Sequence, residues 1–145
     1  MRIVLQRVKR ASVKVDGSVV GAIQRGILLL LAIHRDDTKE RAESLAHKCV
    51  ELRIFPDSEG KMNLGLEDIR GAALVVSQFT LYGDCRKGKR PSFSEAAHPE
   101  KATAIYDHFI QILRQRITPV EQGIFGANME VELVNEGPVT LILEK

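Results

Sequence analysis

The chain has 145 residues, 44% of them hydrophobic and 28% charged, which excludes disorder as the main state and suits one domain, residues 1–145, with its own core. A net charge of +2 excludes a basic coat, and the lack of Trp with only 5% aromatic residues leaves little for a broad base-stacking surface. Two distant cysteines, Cys49 and Cys85, make neither a disulfide framework nor a zinc cluster.

The opening MRIVLQRVKR alternates apolar and charged residues, so Met1–Val8 reads as a strand and not as a secretion signal. Ala11–Val15 and Ser18–Ile23 read as a hairpin, because Asp16-Gly17 is a two-residue turn that favours positive φ. Ile27–Ile33 is a continuous apolar run, as in a strand buried on both faces, and falls well short of the ~20 residues of a membrane span. The expected compartment is therefore the cytosol, with no membrane partner. A first helix is predicted from Thr38 to Leu52, capped by Asp37, with Ala42, Leu45, Ala46, Cys49 and Leu52 as its apolar stripe. Cys49 then belongs to the core. Arg53–Leu64 carries Pro56-Asp57 and Gly60 and reads as a short hairpin or irregular turn.

Ala72–Leu81 is the next strand. A second helix follows from Pro99 to Ile117, with Ala102, Ile105, Phe109, Ile112 and Leu113 on its buried face, and Thr118-Pro119 ends it. Met129–Val134 and Val139–Leu143 are predicted closing strands, joined by Asn135–Pro138 as a turn. This order predicts an α+β fold: a mixed, mainly antiparallel sheet with both helices on one side.

No GxSxG elbow, HExxH pair or P-loop is present, and the four histidines share no pattern that would build a Ser/His/Asp set. Neither a metal nor an organic cofactor is expected. Ser77-Gln78-Phe79-Thr80 places polar groups at the end of an apolar run. This is either a strand emerging into solvent or a site where hydroxyl, amide and backbone N–H groups converge. Regular alternation would put Ser77 and Phe79 on one face and Gln78 and Thr80 on the other, with no evident base for either hydroxyl. Arg86, Lys87, Lys89 and Arg90 surround Gly88 in a basic loop that is either solvated surface or a cradle for phosphates.

Taken together, SQFTL at 77–81, RKGKRPSF at 86–93, FGANM at 125–129 and NEGPVTL at 135–141 resemble the D-aminoacyl-tRNA deacylases. The opening RIVLQRVKRASVKVDG and the stretch LRIFPDSEGKMNL fit the same family, so the resemblance runs in order along essentially the whole chain. Cys85 and His34 depart from the pattern but lie outside the two central motifs.

The resemblance implies a homodimer of barrel-like subunits with two helices packed outside, acting on the aminoacylated 3′ end of tRNA. The implied reaction is hydrolysis of the ester between a D-amino acid, or mischarged glycine, and the terminal ribose. Ser77, Gln78, Phe79 and Thr80 would form the catalytic floor. Gly137-Pro138, with Asn135 and Thr140 in the same motif, would enter the partner's pocket through a cis bond and exclude L-side chains. Arg7 would tether that motif, Met129 would wall the pocket, and Arg86, Lys87, Lys89 and Arg90 would bind tRNA.

An aminoacyl ester is already activated, so backbone N–H groups near Phe79 and Thr80, with help from the substrate's 2′-hydroxyl, would suffice. Thr80 as nucleophile is the competing mechanism. The other functional readings are a non-enzymatic RNA-binding module and a related deacylase that clears small L-amino acids through a trans Gly–Pro bond.

Overall fold

The computed structural model describes residues 1–145. β1 (Arg2–Val15) is one 14-residue strand where the sequence suggested two. Its first half pairs antiparallel with β3 (Gly26–Ala32), from Arg2 opposite Ala32 to Val8 opposite Gly26. Its second half pairs with β2 (Ser18–Ile23) across the Asp16-Gly17 turn, whose φ values of 49° and 77° give the expected primed turn. The strand runs on through Lys9-Arg10, with register shifts around Val8 against the final strand.

Helix α1 (Lys39–Glu51) is capped by the Thr38 hydroxyl, which accepts the Arg41 N–H, rather than by Asp37. Asp37 is buried and accepts the His34 N–H at 2.6 Å. A small hairpin follows, β4 (Phe55–Pro56) with β5 (Met62–Leu64). β6 (Ala72–Ser77) runs parallel to β3, and β7 (Val120–Gln122) runs parallel to β6. Helix α2 (Pro99–Arg114) starts on Pro99 as predicted but stops three residues before Ile117, where the last N–H groups tighten onto Ile112 and Leu113 carbonyls. The connecting Thr118–Pro119 peptide is cis.

The last strand, β8 (Glu130–Glu144), pairs antiparallel with the outer edge of β1 along both of its halves. The expected turn at Asn135–Pro138 is therefore absent, and the motif is an irregularity within one continuous strand.

The six-stranded sheet has the order β2-β1-β3-β6-β7, with β8 added on β1, and it curls until its ends meet. Gly21 of β2 lies against the Gln122 carbonyl of β7, where a Cβ would come within 2.8 Å. Alternation along β3 divides the core between its two faces. Ile27, Leu29 and Leu31 pack with α1 and α2, while Leu28 joins Val8, Val13 and Leu74 inside the curl. Both helices thus cover one face, as the α+β reading expects. Tyr106 of α2 is buried and donates its hydroxyl to the Val75 carbonyl at 2.8 Å, which fixes the helix to the strand leading into the site. Cys49 is in this core, and burial pushes its thiol up to about 12. No helix is long and apolar enough to cross a membrane.

Candidate active site

β6 ends at Ser77, and the chain turns at Gln78 (φ −143°, ψ 68°) into a single 3₁₀ turn, Phe79–Tyr82. The Gln78 N–H still donates to Leu31 on β3 at 2.8 Å, so the change of direction is anchored to the parallel neighbour. This breaks the alternation expected through Leu81. Ser77, Gln78 and Phe79 consequently line one cavity of about 270 Å³, beside Leu31 and Ile33. It opens at the carboxyl ends of two parallel strands, where side chains and free backbone groups can converge without interrupting a ladder.

The opposite wall is the segment Phe125–Met129. Met129 was expected there from the resemblance, whereas Phe125, Gly126, Ala127 and Asn128 were quoted only as part of a motif. Ala97 and Ala102 complete the rim. Small residues in a loop give no chemical signal, and only the fold brings them to the strand ends. Phe125 meets Tyr106 edge-on at 5.7 Å, so the wall rests on the same side chain that fixes α2 to β6.

Thr80 is exposed and does not line the cavity, but its hydroxyl accepts a hydrogen bond from the Gln78 amide. Neither Ser77 nor Thr80 has a histidine or carboxylate as hydrogen-bond partner. The N–H groups of Phe79 and Thr80 open the 3₁₀ turn and have no acceptor in the protein. What the sequence presented as polar groups ending an apolar run is therefore a neutral site with two unused backbone donors. No group of three or more His, Cys, Asp or Glu side chains is placed to hold a metal ion.

The second motif is built differently. Asn135 donates its side-chain amide to the Arg7 carbonyl at 2.9 Å and to the Val139 carbonyl at 3.1 Å, clasping the irregular part of β8. Thr140 donates to Asn135 Oδ1 at 3.3 Å. The buried Arg7 guanidinium donates to the Glu136 carbonyl at 3.2 Å and also to the Ile54 carbonyl. Gly137 has φ +114°, and a Cβ there would lie 2.3 Å from the Arg7 guanidinium. Only glycine fits.

The Gly137–Pro138 peptide is trans, which corrects the cis isomer implied by the resemblance. The extended course of β8 through the motif, clasped by Asn135 and Arg7, is accommodated by a trans bond. Arg7, Asn135, Gly137, Pro138 and Thr140 do not line the cavity of their own chain, and Gly137 and Pro138 are exposed.

Beside the 3₁₀ turn, Asp84 and Ser92 exchange backbone hydrogen bonds of 2.7 and 3.0 Å and close the basic loop into a finger. Arg86 folds back onto Asp84 at 2.7 Å, which holds that carboxyl down at about 2. Its charge is thereby engaged locally. Lys87, Lys89 and Arg90 are exposed, and no carboxylate pairs with them.

The family described as D-Tyr-tRNA(Tyr) deacylase matches residues 4–144. A D-aminoacyl-tRNA deacylase of Fervidobacterium nodosum is 55% identical over 144 residues, covering 99% of this chain and 97% of its own. One from Chloroflexus aurantiacus is 58% identical, covering 99% and 90%. Among solved structures, a c-Myc DNA Unwinding Element Binding Protein superposes with a TM-score of 0.94 at 42% identity, covering 100% of this chain and 99% of that one. A probable eukaryotic D-amino acid tRNA deacylase shares the fold, with a TM-score of 0.84 at 21% identity and coverage of 98% and 97%.

Proposed function

The chain belongs to the D-aminoacyl-tRNA deacylase family, hydrolases of the aminoacyl-tRNA ester, and from that premise we propose that it removes D-amino acids, or mischarged glycine, from the 3′-terminal ribose of tRNA. The observation that carries this reading is the neutral cavity lined by Phe79, at the start of a turn whose first two N–H groups, those of Phe79 and Thr80, are unused. In the proposed mechanism the ester carbonyl points at these donors, which stabilise the oxyanion as water adds. The ribose oxygen then leaves. The substrate's adjacent 2′-hydroxyl orients the water and shuttles its proton, a role for which the protein supplies no base. Ser77 and Gln78 position the acyl group and sugar, and Met129 limits the room for the side chain. No cofactor enters this scheme.

The working unit in this reading is a homodimer of single-domain subunits in the cytoplasm. Two features support it: β8 uses only one edge, against β1, and Gly137-Pro138 stands exposed outside its own cavity. A second copy would set this rigid main chain at the cavity mouth, where backbone cannot rotate away from a wrongly handed side chain. Arg7, Asn135 and Thr140 hold the motif in shape for that task. Lys87, Lys89 and Arg90, with Arg86 at the finger's base, would meet the tRNA backbone.

The Gly137–Pro138 bond is trans, but that alone does not favour the second reading, clearance of small L-amino acids, over the first. The relatives at 55% and 58% identity, matched over nearly all of this chain, carry the first. A paired assay decides between them. D-tyrosyl-tRNA should be hydrolysed while L-tyrosyl- and L-alanyl-tRNA are spared. Turnover of L-alanyl-tRNA alone would establish the second reading, and tight tRNA binding without turnover would leave only an RNA-binding module.

A further inference from the structure

Phe79 lines the cavity, and its ring also meets Phe93 edge-on at 5.1 Å, although Phe93 does not line the cavity. Both rings are large exposed hydrophobics, Phe79 at 57% and Phe93 at 37%. In a chain with only 5% aromatic residues, two adjacent exposed rings are an unusual expense of apolar surface. Phe93 is also firmly placed. It follows Ser92, whose backbone closes the finger on Asp84, and its ring lies so close to Gly83 that a Cβ there would come within 3.1 Å. The step between cavity and finger is therefore an aromatic platform, and the finger that Asp84 and Ser92 close beside it carries three exposed cations, Lys87, Lys89 and Arg90, with no carboxylate partner.

Building on the proposed function, we infer that Phe93 is a specificity-determining residue that stacks the nucleobase immediately 5′ of the aminoacylated nucleotide. A single-stranded 3′ end leaving the cavity passes Phe79, meets Phe93 next, and then brings its phosphates to the finger. Aromatic faces followed by cations suit unpaired RNA, because every base has a π-face and every linkage has a charge. The platform reads strandedness more than sequence: a base held in a duplex cannot lie flat on it.

The test compares D-tyrosyl-tRNA with D-tyrosyl-adenosine, which lacks the penultimate nucleotide. Phe93→Leu should raise KM for the tRNA roughly tenfold with kcat unchanged, the size expected for one lost stacking contact. It should leave the adenosine ester unaffected, and Phe93→Trp should restore the tRNA KM. Wild-type protein given tRNA with an abasic penultimate position should show the same loss, with no further loss in Phe93→Leu. An equal loss on both substrates would mean that Phe93 merely props the 3₁₀ turn, and indifference to the abasic site would likewise overturn the platform. Affinity for uncharged tRNA, with and without that base, reads stacking independently of turnover. Base-sensitive binding without hydrolysis would sink the deacylase reading and leave the platform standing.

Discussion

At Thr80 the hydroxyl accepts from Gln78 and has no histidine or carboxylate beside it, so nothing offsets the cost of an alkoxide at neutral pH. Its backbone N–H, by contrast, is free and preorganised by the turn. Thr80→Ala keeps the N–H and should retain most single-turnover deacylation. A loss of a thousandfold or more in a folded variant would restore Thr80 as the nucleophile. The sequence made the identity of these residues plain but not their geometry. Nothing in SQFTL announces that the strand stops after Ser77, because Phe79 and Thr80 both have good strand propensity. The turn is imposed by tertiary structure. The same holds for Asp37, which does not cap the helix because its buried carboxylate is taken by the Met1 ammonium and the His34 N–H.

Among elements, β8 departs furthest from its sequence signal. Gly and Pro in succession argue for a turn, yet the strand continues because the Asn135 and Arg7 side chains satisfy the polar groups that the irregularity leaves unpaired. Long-range partners of this kind, 128 residues apart for Asn135 and Arg7, leave no local trace. The helices were legible to within a turn because their apolar stripes are local and long. β8 also carries the association proposal. A 15-residue strand with an unpaired edge and Ile142 exposed at 68% is poorly suited to remain uncovered. Sedimentation should give the mass of two chains, and Ile142→Glu should shift it to one with little change in Tm, since this side chain is not in the core. A single-chain mass for the wild type at micromolar concentration would end the proposal.

Across the whole molecule, the net charge of +2 conceals a local asymmetry. Most arginines are tied to carboxylates or carbonyls, Arg86 and Arg116 among them, whereas three cations of the finger are not. Replacing Lys87, Lys89 and Arg90 by Ala should weaken tRNA binding and flatten the dependence of log affinity on log salt by roughly 2 to 3, about one per phosphate contact. An unchanged slope would remove the finger from the interface. The α+β class and the helices on one face were readable from element order. The mixed character of the sheet became concrete only in β3–β6 and β6–β7, because parallel pairing depends on where crossovers return and not on local pattern.

That parallel pair has a consequence for how the protein comes into being. Gly26 pairs with Ala72, and the cavity's walls are drawn from positions as far apart as Leu31 and Val131. The pocket therefore has no local precursor: a growing chain holds no part of it that could bind or cleave until nearly all of the sequence has been made. Closing such long loops costs entropy before any contact repays it, so competence should arrive in the slowest, most cooperative stage of folding. An ester hydrolase assembled this way has no half-finished form with half an activity.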